Sequence, residues 1–276
     1  MPRIFDFAGR EVERRATVAS LRALKGSGRR VTQTTADTTE EASAADEAGV
    51  EMVVCRSANV AKVREGSQRL FVTAALGFTQ AVTADDMLRT AFAAIAAGAD
   101  AVITARGYEM VRLLSAESIP VVGHLGFVPR KSTWFGAVRA VGKTADEAMD
   151  LWDRFRRLED AGAFAVECEL IPGAVLSEIN RRTSLVTISL GSGSDAEVIF
   201  LFASDICGES SKLPRHARAW GDLARLHKAV RDERVSALSG FRAAVASASF
   251  PASEQIAGIP SRELEDFGAR LGAAEK

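Results

Sequence analysis

The side chains that carry nucleophilic or metal chemistry are few and scattered in this chain. Its three cysteines, Cys55, Cys168 and Cys207, are widely spaced and odd in number, so they form neither a paired metal-ligand motif nor a disulfide framework. Thiols used this way point to a reducing compartment, and the cytoplasm is the expected location. The three histidines, His124, His216 and His227, make no cluster by spacing. Basic runs such as Arg154-Phe-Arg-Arg157 lie beside acids within helical patterns and read as solvated faces. The turn Gly191-Ser-Gly193 carries the glycines of a phosphate cradle, but two glycines serve a tight turn equally well.

The fold must therefore assemble whatever chemistry the chain performs. With 276 residues, 47% hydrophobic and 26% charged, the chain has the size of one α/β barrel, which needs ~250 residues. A formal charge of −1 gives no global pull toward nucleic acid or a membrane surface, and neither partner is expected. The stretch Ala91–Ala99 is too short to span a bilayer, and Met1–Ser20 is too charged for a signal peptide. Short apolar runs predict strands at Val31–Thr35, Glu51–Cys55, Leu70–Ala74, Ala101–Thr104, Pro120–Gly123, Ala163–Cys168, Leu185–Ser189 and Val198–Phe202. Between them lie helical patterns. Thr83-Ala-Asp-Asp86 and Thr144-Ala-Asp-Glu147 read as capping boxes, and Gly49, Gly98 and Gly162 as C-terminal stops.

These runs show little period-two alternation, which indicates strands covered on both faces and hence a parallel sheet. Eight of them in a β-then-α rhythm favour a (β/α)8 TIM-type barrel over an open sheet. One barrel domain over 1–276 is expected, with a polar lead at 1–16 and a tail at 252–276. Additional C-terminal helices follow Val235, broken at Ser249-Phe-Pro251, with a last helix between Pro260 and Leu271.

Several segments, in order, resemble the ketopantoate hydroxymethyltransferase family, within the isocitrate lyase/phosphoenolpyruvate mutase barrel superfamily. The most specific is Ile119-Pro-Val-Val-Gly-His-Leu-Gly-Phe-Val-Pro129, close to the family's IPV-GHLGLTPQ. Val141-Gly-Lys-Thr144, Glu169-Leu-Ile-Pro172 and Gly191-Ser-Gly193 are similar to its VQGK, ECVP and GAG segments. Thr17–Gly26 and Ser249-Phe-Pro251 match as well, so the resemblance spans roughly residues 17–251. It implies transfer of a hydroxymethyl group to an α-keto acid in pantothenate biosynthesis, with Mg²⁺ and methylene-tetrahydrofolate, by a ring-forming homo-oligomer. The exposed-looking pair Trp134-Phe135 also suits an interface.

The departures bear on the metal. Where the resemblance implies a metal-binding Gly-Asp-Ser, this chain has Cys55-Arg56-Ser57. Ala75 stands at a second acid position, and Ile103-Thr104-Ala105-Arg106-Gly107 stands where the resemblance implies KIEGG, so its lysine and its acid near the metal are both gone. Three lost acids leave no hard oxygen site for Mg²⁺, so no catalytic metal is expected. About twenty residues are also missing between the second and third strands. By resemblance Glu169 is the proton acceptor, with Ser57 and His124 contacting substrate. Arg56 and Arg106, fixed cations at strand ends, are candidate anchors for a substrate carboxylate, or Arg56 pairs with an acid such as Glu169. Two functions follow. One is a metal-independent enzyme forming or breaking carbon–carbon bonds through an enolate of a small keto acid. The other is a silent barrel that binds a carboxylate or assembles with an active paralogue. A filled Arg56–Glu169 pair would favour the second.

Overall fold

The computed structural model describes residues 3–210 and 212–274. A short antiparallel ribbon, β1 (Ile4–Phe5) with β2 (Glu11–Val12), leads into α1 (Val18–Arg22). Strands and helices then alternate through β3 (Val31–Thr35), α2 (Thr39–Glu47), β4 (Met52–Arg56), α3 (Val60–Gly66), β5 (Phe71–Ala75), α4 (Ala84–Ala96) and β6 (Ala101–Ile103). The series continues with α5 (Tyr108–Ala116), β7 (Val121–Gly126), α6 (Ser132–Phe135), α7 (Ala145–Asp160), β8 (Ala165–Glu169), α8 (Gly173–Asn180), β9 (Val186–Leu190) and β10 (Val198–Phe200). After them come α9 (Ala203–Ile206), α10 (Leu223–Ala246) and α11 (Ser261–Ala274). Strands β3 to β10 pair in parallel and close into a barrel in chain order, β10 beside β3. This is the expected (β/α)8 architecture with extra C-terminal helices.

The strands lack alternation because each face meets a different core. Met52, Phe71, Val122 and Ala165 point into the barrel, while their neighbours Val53, Val72, Val121 and Val166 pack under the helices. Leu21 and Leu24, with Ala16, join the inner cluster, so the segment around α1 covers the barrel at its strand-start end. The opposite end, where the strands finish, remains for a site.

The connection after β4 is shortened but still carries a helix, α3, which lies against α2. A Cβ on Gly66 would sit 2.1 Å from the Thr39 carbonyl oxygen, so only glycine permits that approach. Inside the same corner Arg64 is buried, donating to the Gly98 and Leu70 carbonyls and to Asp100 at 2.5 Å. Asp100 also takes Arg14 at 2.8 Å, which ties the starts of β5 and β6 together.

Thr83 caps α4 as expected, exchanging bonds with Asp86. Thr144 caps α7 through the Glu147 amide, but Glu147 reaches past it to the Gly142 and Lys143 amides and to Arg139. The full box is therefore replaced by a wider clasp, because the preceding turn offers two free donors. The C-terminal helices also begin earlier than expected, at Leu223 rather than after Val235. Residues 222–276 cluster as a second compact unit, apart from Met1–Gly221. Among the described residues, no helix is long and apolar enough to cross a membrane.

Candidate functional site

Strands β7 and β8 pair with His124 opposite Glu167 and Gly126 opposite Glu169. His124 lies two residues beyond the inward-facing Val122, and Glu167 and Glu169 lie two and four beyond Ala165. Strand alternation therefore turns all three side chains into the barrel, toward the end where the strands finish. His124 Nε2 is 3.1 Å from Glu169 Oε2 and 3.5 Å from Glu167 Oε1. The three side chains are 12%, 12% and 8% exposed, so one imidazole meets two carboxylates almost out of water.

Burial works against the charge on His124, but the hydrogen bond it donates to Glu169 and the field of both carboxylates prevail and hold its pKa above the ordinary value. Burial pushes Glu167 upward; His124 opposes this and Glu169 adds to it. The arrangement thus favours an imidazolium that can donate, beside one carboxyl group disposed to keep a proton. Lys131, on the loop after β7, is close enough to oppose the imidazolium, and its own pKa is lowered by burial and by Arg154.

The other sequence candidates have different surroundings. Ser57 opens a short 3-10 turn directly after β4 and is half-buried. Arg56 is 80% exposed at its side chain and pairs with Asp37, Nε to Oδ2 at 3.4 Å. Asp37 also takes the Arg56 amide and the Asn59 side chain, binding the ends of β3 and β4. The pair expected between Arg56 and Glu169 is not the one formed: Arg56 pairs with Asp37, and Glu169 is met by His124. Arg106 donates from Nη1 and Nη2 to the Ala81 and Val82 carbonyls, bracing the loop that enters α4.

The positions at which the resemblance implies magnesium ligands fall on Arg56, Ala75 and Ala105, whose side chains offer no ligand oxygen. The expectation that the histidines enter no metal-ligating set is nevertheless corrected. His124, Glu167 and Glu169 place one ligand atom each within 4.8 Å of one another. Spacing hid this, since His124 and Glu169 are 45 residues apart and meet only through strand pairing. Glu167 was overlooked altogether, although Glu167-Cys168-Glu169 on a strand places both acids on one face.

The glycine turn serves packing. Gly191 and Gly193 have positive φ, and Ser192 between them donates to the Cys168 carbonyl and accepts from the Ile171 amide. A cavity of about 890 Å³ opens at the strand-start end, lined by Arg22, Lys25, Asn180 and Glu197. It lies at the end where barrels keep structural contacts, and Lys25 there is held by Asn180 and Glu197. The cluster, at the end where the strands finish, is the candidate site.

Comparison with known proteins agrees with this fold. The family model described as Ketopantoate hydroxymethyltransferase matches residues 56–253. The chain is 31% identical over 284 aligned residues to the 3-methyl-2-oxobutanoate hydroxymethyltransferase of Hyperthermus butylicus, covering 94% of this chain and 95% of that one. It is 33% identical over 196 residues to the enzyme of the same name from Pyrobaculum islandicum, covering 70% of this chain and 72% of that one. Among solved structures, 2,3-dimethylmalate lyase, a PEP mutase/isocitrate lyase superfamily member, is similar in fold. Its TM-score is 0.50 at 13% identity, over 93% of this chain and 100% of that one.

Proposed function

The chain belongs to the ketopantoate hydroxymethyltransferase family, and from that premise we propose that it makes or breaks a carbon–carbon bond beside the carbonyl of a small α-keto acid. The reaction passes through an enolate. A base removes the proton next to the carbonyl, negative charge moves to the carbonyl oxygen, and the carbon attacks an electrophile. In the direction of synthesis the electrophile is a one-carbon unit, for which methylene-tetrahydrofolate is the donor suggested by the family. The electron pair of the broken C–H bond becomes the new C–C bond; water hydrolysing methylene-tetrahydrofolate would release tetrahydrofolate and formaldehyde, whose carbonyl oxygen takes up the proton held by the base to complete the hydroxymethyl group.

The contact between Glu169 and His124 carries this reading. Glu169 supplies the proton-accepting carboxylate, and His124, held toward its charged form, steadies that carboxylate and can donate to developing negative charge. Ser57 lies at the same end of the barrel and is assigned to the substrate. Arg56 and Arg106 are engaged by Asp37 and by the loop before α4, so we assign them to holding the rim. Lys131 is the better candidate to attract the substrate carboxylate. The family's magnesium set is not part of the proposal, because positions 56, 75 and 105 offer it no ligand.

Proton exchange tests the reading without a donor. The protein is incubated in D₂O with small α-keto acids, 3-methyl-2-oxobutanoate first, and loss of the proton signal beside the carbonyl is followed by NMR. Exchange above the protein-free rate is expected. Its absence across a series of two- to six-carbon keto acids would leave the silent-barrel reading.

A further inference from the structure

We propose that His124, Glu167 and Glu169 form a binding site for a divalent cation of the borderline, nitrogen-accepting class, such as zinc or manganese, in place of the family's magnesium site. The donor set is one imidazole nitrogen and two carboxylate oxygens, each from an inward position on β7 or β8. Metal–ligand bonds near 2.1 Å put neighbouring ligand atoms roughly 3.0–3.4 Å apart in octahedral or tetrahedral sites. The distances from His124 Nε2 to Glu169 and Glu167, 3.1 and 3.5 Å, are of that size. The three ligand atoms lie within 4.8 Å of one another, so a side-chain adjustment of about an ångström would admit an ion. Magnesium prefers an all-oxygen shell and keeps its water, whereas an imidazole ligand favours the first-row transition cations.

Two further observations point the same way. An ion bound here would displace the protons the cluster otherwise holds, and two carboxylates would neutralise it in a site at most 12% exposed. In the same interior, Gln33 Oε1 and Thr73 Oγ1 are buried with no hydrogen-bond partner. Gln33 and Thr73 stand two residues beyond Val31 and Phe71, which belong to the inner core, so both face the barrel axis. They offer acceptors for the water that completes a cation's shell. Glu169 has a second oxygen beyond the one near His124, so ligation leaves it an atom for accepting a proton. The inference rests on the proposed function only for its purpose, since binding can be read without turnover.

The experiment uses the full chain, dialysed against a chelator and titrated with MnCl₂, with free Mn²⁺ followed by EPR and with ZnCl₂ and MgCl₂ as competitors. One Mn²⁺ per chain at micromolar affinity is expected, displaced by equimolar Zn²⁺ but not by millimolar Mg²⁺. Glu167→Gln should weaken binding by about 100-fold. Pulsed EPR on the unmutated chain should show imidazole nitrogen coupled to the bound ion, a readout that stands even if a variant fails to fold. No saturable binding, bound Mn²⁺ without that coupling, or unchanged affinity in a folded Glu167→Gln would each overturn the proposal. Exchange of keto-acid protons together with no saturable Mn²⁺ binding would sink this inference and leave the function standing. Binding at these residues without any exchange would do the reverse.

Discussion

Replacing Glu169 by glutamine separates its chemistry from its structural part. Glutamine keeps the length and an oxygen for His124 Nε2, now 3.1 Å from the carboxylate, but cannot accept the substrate proton. Loss of a positioned base costs about 10²–10⁴ in rate, or roughly 2.7–5.5 kcal/mol of transition-state stabilisation. The structural side is smaller. The contact loses its anionic acceptor but keeps the imidazolium donor, a loss of about 1–1.5 kcal/mol. Glu167, on the same face two residues away, meanwhile loses a like-charged neighbour that raises its pKa, which offsets part of that loss. The net change in stability should stay under about 1.5 kcal/mol, a shift of a few degrees in Tm. The assay pairs NMR exchange rates with urea unfolding of both proteins, and with thermal shift by keto acid to confirm that binding survives. A ligand at a hundred times its Kd adds about 2.7 kcal/mol, well within reach of that measurement. Exchange in Glu169→Gln within tenfold of the parent would refute the assignment of the base. A stability loss above about 3 kcal/mol would refute the account of the cluster's energetics.

Arg64→Met should destabilise the barrel unit by about 3–5 kcal/mol in urea unfolding, toward the lower end because Arg14 still pairs with Asp100. A loss below about 1 kcal/mol would mean the pair is idle. Burial alone would raise the Asp46 pKa, but hydrogen bonds from Arg15, Ser67 and Arg69 lower it on balance. A carboxylate depressed on folding adds stability that is present above its unfolded pKa and lost as pH falls through the folded one. The parent should therefore lose stability below about pH 4 more steeply than Asp46→Asn, and parallel acid titrations would count against this. Leu238, Phe241 and Val245 form an exposed apolar row on α10, and Trp134 is 88% exposed, so self-association is expected. Sedimentation should show an oligomer that Phe241→Ser weakens; a monomer at micromolar concentration would exclude it.

Much of the barrel was legible from residue order alone. Continuous apolar runs such as Val31–Thr35 and Ala163–Cys168 give strands because a parallel barrel buries both strand faces, one on the inner cluster and one under the helices. Thr83 could be read as a cap because capping is settled within four residues. The clasp at Glu147 could not, since its partners depend on how the preceding turn folds back. Likeness to a family drew attention to Glu169, His124 and the altered positions at Arg56, Ala75 and Ala105. The partners of those residues were not legible. Arg56 meets Asp37, Arg106 meets the carbonyls before α4, and Glu167 completes a cluster with His124. Local sequence sets strand and helix preferences over a few residues and thereby the class of fold. Side chains 45 residues apart meet only once barrel closure fixes the register of β7 against β8, so the chemistry of this cluster belongs to the tertiary structure.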